Sequence, residues 1–330
     1  MYFVQKCSLP TEFAACKKLI IANNLGYEEN VTDVFAIFSN GEAIATASLD
    51  NNIIKMVAIN EKYQGENLTA KLITQIKTYL FKQNIDKYFL YTKPEQVKYF
   101  TDFGFSLIAK TDKVALLENN ENDINQTLDK ISKEYRLSNK SKAAIVMNCN
   151  PMTNGHLYLI EYAAKRHAEV VVFLVEEDRS TVPFDVRLTI VKQTTNDLKN
   201  VLVIPSTKYI ISQATFPTYF IKETSEKSMI FMELDTLIFK KYFFDRFKIE
   251  KRYVGEETID MMTDKYNETL LKAFGNRVEI VKRLKYNNEP ISASLARKYA
   301  QEKNFAELKK IVPLASYHYL LSKYGENNAK

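Results

Sequence analysis

Thr153, Gly155 and His156, within "NCNPMTNGHLYLIEYAAKRHA" (148–168), are residues whose types and spacing suit phosphate chemistry. A threonine hydroxyl and an imidazole can each donate a hydrogen bond to a phosphate as charge builds on it during displacement. Glycine between them lets a nucleotide come close to the backbone. Asn150 and Pro151 belong to the same loop. A second set lies in "ISASLARKYA" (291–300), where Ser292 and Ser294 stand at a helix start and Arg297 follows. Serine there suits a helix cap, and a guanidinium nearby can grip two phosphate oxygens at once. Either set alone is a weak signal, because a capped helix with a satisfied histidine reads the same way.

The elements around the first set decide between those readings. "AAIVM" (143–147) reads as a buried strand, and Leu159, Ile160, Ala163 and Ala164 have the spacing of a helix with one buried face. "EVVVFLVEE" (169–177) is a second buried strand. The loop therefore lies at the carboxyl end of the first strand of a βαβ unit, where open α/β sheets bind ligands. The first turn of the helix adds unpaired N–H groups and the positive end of its dipole. Further strands are expected at 201–206, 228–235, 251–257 and 278–284, with helices between them and a helical tail from Ser292. The pattern predicts an α/β, doubly wound parallel sheet. Asp235 would then end a strand at the ligand-binding edge, and Gly255 another, followed by Glu256 and Glu257. Carboxylates there could contact ribose or support Mg²⁺, and Gly255 would admit adenosine. Arg179, Ser180 and Arg187 follow the second strand and are candidates for phosphate contact.

The preceding region alternates differently. A helix (11–24) precedes a hairpin turned at Asn40-Gly41, a strand (52–60), an amphipathic helix (68–84), a strand (87–92) and a short helix ending at Gly104. A strand or hairpin at 106–118 closes an α+β unit. The polar stretch 118–142 reads as a linker with a short connecting helix, which gives domains at 1–120 and 143–330 joined by 121–142.

Composition narrows the class. Residues 1–140 carry 17 basic and 17 acidic side chains, so the whole excess of +6 falls in the half with the histidine loop. That favours an anionic ligand there, yet the excess is too modest for a nucleic-acid footprint. No run approaches the ~18 apolar residues of a membrane span, and the opening residues lack a signal-peptide pattern. Cys7, Cys16 and Cys149 are scattered, as suits a reduced, cytoplasmic setting. Cys149 beside the loop is expected to be a packed small residue, and His167 and His318 to have no catalytic role.

The two sets together resemble the two-part signature of the HIGH-type nucleotidylyltransferases, in which both motifs hold one ATP and an acceptor displaces pyrophosphate from the α-phosphate. More narrowly, "IVMNCNPMTNGHLYLIEYAA", "ISQATFPTYF" (211–220), "ELDTLIF" (233–239), "RYVGEE" with Tyr266-Asn267, and "ISASLARK" resemble the [citrate (pro-3S)-lyase] ligase family in order and spacing. Ser212 to Tyr219 is telling, because general nucleotidylyltransferases lack that block. The first region resembles a GNAT-type acetyltransferase module, whose strand-to-helix loop binds the pyrophosphate of coenzyme A. Gln64, Gly65 and Asn67 occupy that loop, while Lys62 and Asn67 depart from the usual Gln/Arg-x-x-Gly-x-Gly/Ala pattern. Recognition of a CoA-like group and a degenerate scaffold both remain open.

The resemblance implies an enzyme that uses ATP and Mg²⁺ to activate acetate as acetyl-adenylate. It then acetylates the phosphoribosyl-dephospho-CoA thiol on the citrate lyase acyl carrier (gamma) subunit, without nucleic acid or membrane. Thr153 and His156 would serve the α-phosphate, and Arg297, Ser292 and Ser294 the outer phosphates. Two alternatives stand beside it: a nucleotidylyltransferase acting on a phosphorylated cofactor precursor, or a CoA-carrier binding module with a vestigial ATP site.

Overall fold

The computed structural model describes residues 2–120, 123–176, 180–210, 224–256 and 261–325. They fall into two compact units.

The first unit runs to Gln126 and includes a later helix as far as Leu237. Its sheet comprises β1 (Gln5–Lys6), β2 (Asp33–Ser39), β3 (Glu42–Asp50), β4 (Ile53–Ile59), β5 (Phe89–Thr92), β6 (Ser106–Lys110) and β7 (Ala115–Glu118), in the order β1-β2-β3-β4-β5-β7-β6. The β2–β3 turn has φ 51° at Asn40 and 79° at Gly41, the left-handed pair that a two-residue hairpin requires. Alternation along the strands feeds two helix layers. Phe35 and Ile37 pack with α2 (Leu68–Lys82), whereas Val34 and Ala36 pack with α1 (Pro10–Ala22). On α2, Leu68, Leu72, Ile76 and Leu80 are spaced four apart and buried, which fixes its apolar stripe. All pairings are antiparallel except β4 with β5. That parallel pair joins only at Ile53–Phe89 and Ile54–Leu90, so β4 continues to Ile59 after parting from its neighbour. This is a GNAT-like arrangement. The short α3 (Val97–Thr101) completes the elements before the boundary between units, which falls within the helix α4 (Asp123–Glu134).

The second unit contains β8 (Lys142–Met147), α5 (Asn154–Ala164), β9 (Val170–Leu174), α6 (Phe184–Thr194) and β10 (Val201–Pro205). Beyond α7 (Thr224–Ile238) come β11 (Ile249–Gly255), α8 (Met261–Phe274) and β12 (Val278–Val281). The five strands are all parallel, in the order β10-β9-β8-β11-β12. The chain starts in the middle, winds one way to β10 and then the other way to β12. The direction reverses between β8 and β11, the topological switch point of a Rossmann-like sheet. A small hairpin, β13 (Lys285–Tyr286) with β14 (Glu289–Pro290), leads to α9 (Ala293–Gln301), α10 (Phe305–Ile311) and α11 (Leu314–Gly325).

Two expectations are corrected. Residues 228–235 are not a strand but part of α7, whose Met232, Leu234, Asp235 and Ile238 are all buried. Burial around most of a helix leaves an apolar run without a clean period, which reads like a buried strand. Asp235 therefore ends no strand and sits in the first unit, where it reinforces the rise that burial imposes on the Tyr91 hydroxyl. The strand expected at 278–284 stops at Val281, leaving Lys282 to Leu284 beyond the sheet. The units also divide less simply than at 121–142, since the chain returns to the first unit at α7.

Candidate active site at the switch point

The loop between β8 and α5 is fixed from behind by two arginines. Arg187 of α6 is 1% exposed. Its Nη1 donates to the Asn148 carbonyl (2.7 Å), the Asn148 Oδ1 (2.7 Å) and the Val175 carbonyl (2.8 Å), while Nε donates to the Val182 carbonyl (3.0 Å). Asn150 accepts the Val182 N–H through Oδ1 at 2.9 Å and precedes Pro151 through a cis peptide. The Asn150 carbonyl accepts from Nη1 of Arg297, whose Nη2 donates to the Ser294 hydroxyl at 3.1 Å. Arg297 thus links two motifs 147 residues apart. The Ser180 hydroxyl lies 3.4 Å from the Asn148 side-chain amide.

Thr153 is the N-cap of α5, and its N–H donates to Nδ1 of His156 at 3.0 Å. This is one half of a capping box, with imidazole in place of the usual carboxylate. A backbone N–H can only donate, so Nδ1 carries no proton and the neutral ring holds its proton on Nε2. The Thr153 hydroxyl lies 2.9 Å from the same Nδ1. Enclosure by protein, and then the charge of Arg283, push the His156 pKa down to about 4. At neutral pH the ring is an uncharged hydrogen-bond donor. Gly155 brings the second motif close: a Cβ there would lie 3.4 Å from the Ile291 carbonyl and 3.5 Å from the Thr153 hydroxyl. Ser292 caps α9 by accepting the Leu295 N–H at 3.1 Å.

Between these elements lies a cleft of about 540 Å³, within the ~300–1,000 Å³ typical of small-molecule sites. Thr153, Gly155, His156, Gly255, Ser292 and Ser294 all line it. Gly255 ends β11, a Cβ there would meet nothing within 4 Å, and its carbonyl accepts from Asn267 Nδ2 at 3.0 Å. Asn150, Pro151, Arg187 and Arg297 are not lining residues and shape the loop instead. Asp235 is not among the lining residues either.

Sequence reasoning overlooked Lys282 and Arg283, which line the cleft just past β12. The signal is a basic pair directly after the last parallel strand, and the apolar neighbours Val281 and Leu284 extend the strand pattern across it. Among the described residues, none lining the cleft is a carboxylate, and none form a group of three metal-ligating side chains. That donor chemistry suits a metal ion carried by phosphate oxygens and waters. Cys149 is buried, and burial pushes its thiol pKa well up, as a packed residue requires. His167 is satisfied by Glu250 (2.7 Å) and the Tyr253 hydroxyl (2.8 Å). Arg179, Glu257 and the block 212–219 lie outside the described residues.

The first unit has its own cleft, of about 590 Å³, where β4 and β5 part. Gln64, Gly65 and Asn67 line it, beside Tyr63, Tyr91 and Lys93. Gly65 has φ +89° and Asn67 φ 57°, the latter at the N-cap of α2 without a side-chain cap bond. Asparagine tolerates that left-handed backbone. Among the described residues, no helix is long and apolar enough to cross a membrane.

Solved structures similar to 36% of the chain include Escherichia coli ElaA (15% identity, 99% of that chain, TM-score 0.32). A GNAT-family acetyltransferase from Staphylococcus aureus is another (17% identity, 98% of that chain, TM-score 0.31). Residues 142–320 match the family described as citrate lyase ligase C-terminal domain. Among curated proteins, the [citrate [pro-3S]-lyase] ligase of Escherichia coli K12 is 32% identical over 94% of this chain and 90% of its own length. That of Haemophilus influenzae is 33% identical over 85% and 86%. A match to more than half of the chain and relatives aligned over nearly all of it lead to one conclusion: this chain belongs to the citrate lyase ligase family.

Proposed function

We propose that the chain is an ATP-dependent, AMP- and pyrophosphate-forming acid–thiol ligase that activates citrate lyase by acetylating its acyl carrier subunit. An oxygen of acetate attacks the α-phosphorus of ATP. The bond to the bridging oxygen breaks, pyrophosphate leaves and acetyl-adenylate remains. The thiolate of the carrier's phosphoribosyl-dephospho-CoA arm then attacks the acyl carbon and expels AMP. Neither step needs a nucleophile from the protein, so the cleft must orient the reactants and offset charge.

The observation that carries this reading is the neutral His156, its Nδ1 occupied by the Thr153 N–H and its proton therefore on Nε2. Such a ring donates a hydrogen bond to an α-phosphate oxygen without giving up its proton. Thr153 holds it in that tautomer. Gly155 and Gly255 leave room for the nucleotide, and the Ser292-capped start of α9, with Ser294, faces its outer phosphates. Arg187 and Arg297 hold the loop through Asn148 and Asn150. The described residues hold no metal-ligating cluster, so Mg²⁺ would be held by the nucleotide and would offset phosphate charge there. In the first unit, Gln64, Gly65 and Asn67 receive the CoA-like arm of the carrier. The buried, unpaired cysteines suit a cytoplasmic setting.

The test is exchange of labelled pyrophosphate into ATP with Mg²⁺ and no carrier. Exchange that requires acetate is expected. Exchange that requires a phosphate-bearing acceptor instead would make the chain a nucleotidylyltransferase, and absence of ATP binding would make the site vestigial.

A further inference from the structure

We propose that the carboxylic acid substrate is held on the sheet face turned away from α5, with its alkyl end on Val146 and Val254 and its carboxylate beside the paired side chains of Arg252 and Tyr266. This rests on the reading that the second-unit cleft makes an acyl-adenylate.

Alternation along the two central strands gives the cleft two sides. Ala143, Ile145 and Met147 of β8 and Tyr253 of β11 pack with Ile160 and Ala163 of α5. Ala144 pairs with Arg252, and Ile145 with Tyr253. Ala144 and Val146 therefore share the opposite face with Arg252 and Val254. Val146 and Val254 line the cleft on that face, at the switch point, and Tyr266 of α8 lines it with them. The start of α9 lies on the first side, since a Cβ at Gly155 would stand 3.4 Å from the Ile291 carbonyl. In phosphoryl displacement the attacking and leaving oxygens lie roughly in line across phosphorus. A nucleotide whose outer phosphates face Ser292 and Ser294, with its α-phosphate at His156, is thus attacked from the second side. Two valines and an aromatic ring furnish that side, which suits a short alkyl chain.

Arg252 supplies what the carboxylate needs. It is 1% exposed. Its Nη2 donates to the Tyr266 hydroxyl at 2.9 Å, and its guanidinium lies over the Phe239 ring, 4.3 Å from the centre. Its Nε and Nη1 are buried and have no hydrogen-bond partner among the described residues. Arg187 is equally buried, yet its Nε and Nη1 meet four oxygens. A buried cation short of acceptors is costly, and an anion brought into its field offsets that cost. Tyr266 accepts from Arg252 and forms part of the cleft wall, so the positive charge lies one side chain behind that wall. The ligand class follows from the charge and the valines together: a short monocarboxylate. A second carboxylate would have to rest on Val146 and Val254 without a partner, which disfavours dicarboxylic acids.

The experiment compares Arg252→Met, Arg252→Lys and Val254→Ala with the unaltered chain. It measures exchange of labelled pyrophosphate into ATP with acetate and with propionate, and ATP affinity by calorimetry. Arg252→Met is expected to raise the acetate KM about tenfold or more while ATP affinity is retained, a split that a purely structural role would not give. Arg252→Lys keeps the charge and should recover part of the loss. Val254→Ala should raise kcat/KM for propionate relative to acetate about tenfold, as room for one methylene implies. An acetate KM that stays put in Arg252→Met, or moves only in step with ATP affinity, would overturn the assignment, and so would an unchanged acid ratio in Val254→Ala. If Arg252→Met does not fold, the ratio decides alone. An unaltered chain that exchanges only with a phosphate-bearing acceptor would sink the ligase reading and this site with it. Acetate-dependent exchange in which neither the KM nor the ratio moves would sink the site alone.

Discussion

The two units each open a cleft where a pair of parallel neighbours parts, yet the clefts are furnished differently. In the first, β4 and β5 separate after two residue pairs, and the loop after β4 feeds α2. In the second, β8 and β11 stand side by side at the point where the winding reverses, and the loop after β8 feeds α5. The first loop relies on left-handed backbone at Gly65 and Asn67 and leaves α2 without a side-chain cap. The second pairs the Thr153 N–H with His156. Lys93 is the one charged lining residue of the first cleft among the described residues, in a wall rich in tyrosine. The second presents two cations and an imidazole. Sheet topology makes the cavity in both cases, and a handful of residues at the strand ends decide what each can hold. Two cations beside an imidazole give the second cleft countercharge for an anion, whereas one lysine among tyrosines gives the first far less.

The comparison breaks most visibly at His156. His156→Ala should lower acetate-dependent exchange by ~10²-fold or more while ATP still binds; near-normal exchange would remove the imidazole from the chemistry. Next is Arg187→Met, which strands the carbonyls of Asn148, Val175 and Val182. A loss of roughly 2–4 kcal/mol is expected in urea unfolding, and an unchanged midpoint would mean that water replaces the guanidinium. In the other cleft, Gly65→Ala strains a residue at φ +89°. Carrier acetylation should slow several-fold while pyrophosphate exchange stays intact, and a parallel loss of both would refute separate tasks for the clefts. A smaller effect concerns pH. The His156 pKa is depressed in the folded chain, to about 4 from ~6.5 unfolded. Below ~6.5 the unfolded chain therefore takes up a proton that the native ring refuses. Stability present above that pH should decline as pH falls toward 4, and His156→Gln should show a shallower decline. Last, Asp235→Asn should leave the ATP KM unchanged, because that residue belongs to α7 of the first unit; a raised KM would return it to the site.

Much of this was legible in the chain. The β8-loop-α5-β9 unit follows from three local patterns that agree, and the Asn40-Gly41 turn has one economical solution. Thr153, Gly155, His156, Gly255, Ser292 and Ser294 were all singled out and all line one cleft. What escaped depends on direction rather than type. A sequence cannot say which acceptors a guanidinium meets, so the bonds of Arg187 to the carbonyls of Asn148, Val175 and Val182, and of Arg297 to that of Asn150, were not legible in it. Lys282 and Arg283 were hidden because strand ends are hard to place, and two residues separate a wall from an edge. Asp235 was misplaced with α7, whose burial on several sides hides its helical period.

The bond from Arg297 to Asn150 bears on how the protein comes into being. The histidine loop is translated first, and a partner that steadies it follows 147 residues later. Chains emerge at ~5–20 residues per second, and earlier segments fold first. For several seconds, then, a nascent chain carries the histidine loop without the helix that completes it. The loop therefore gains the full set of contacts described above only near the end of synthesis.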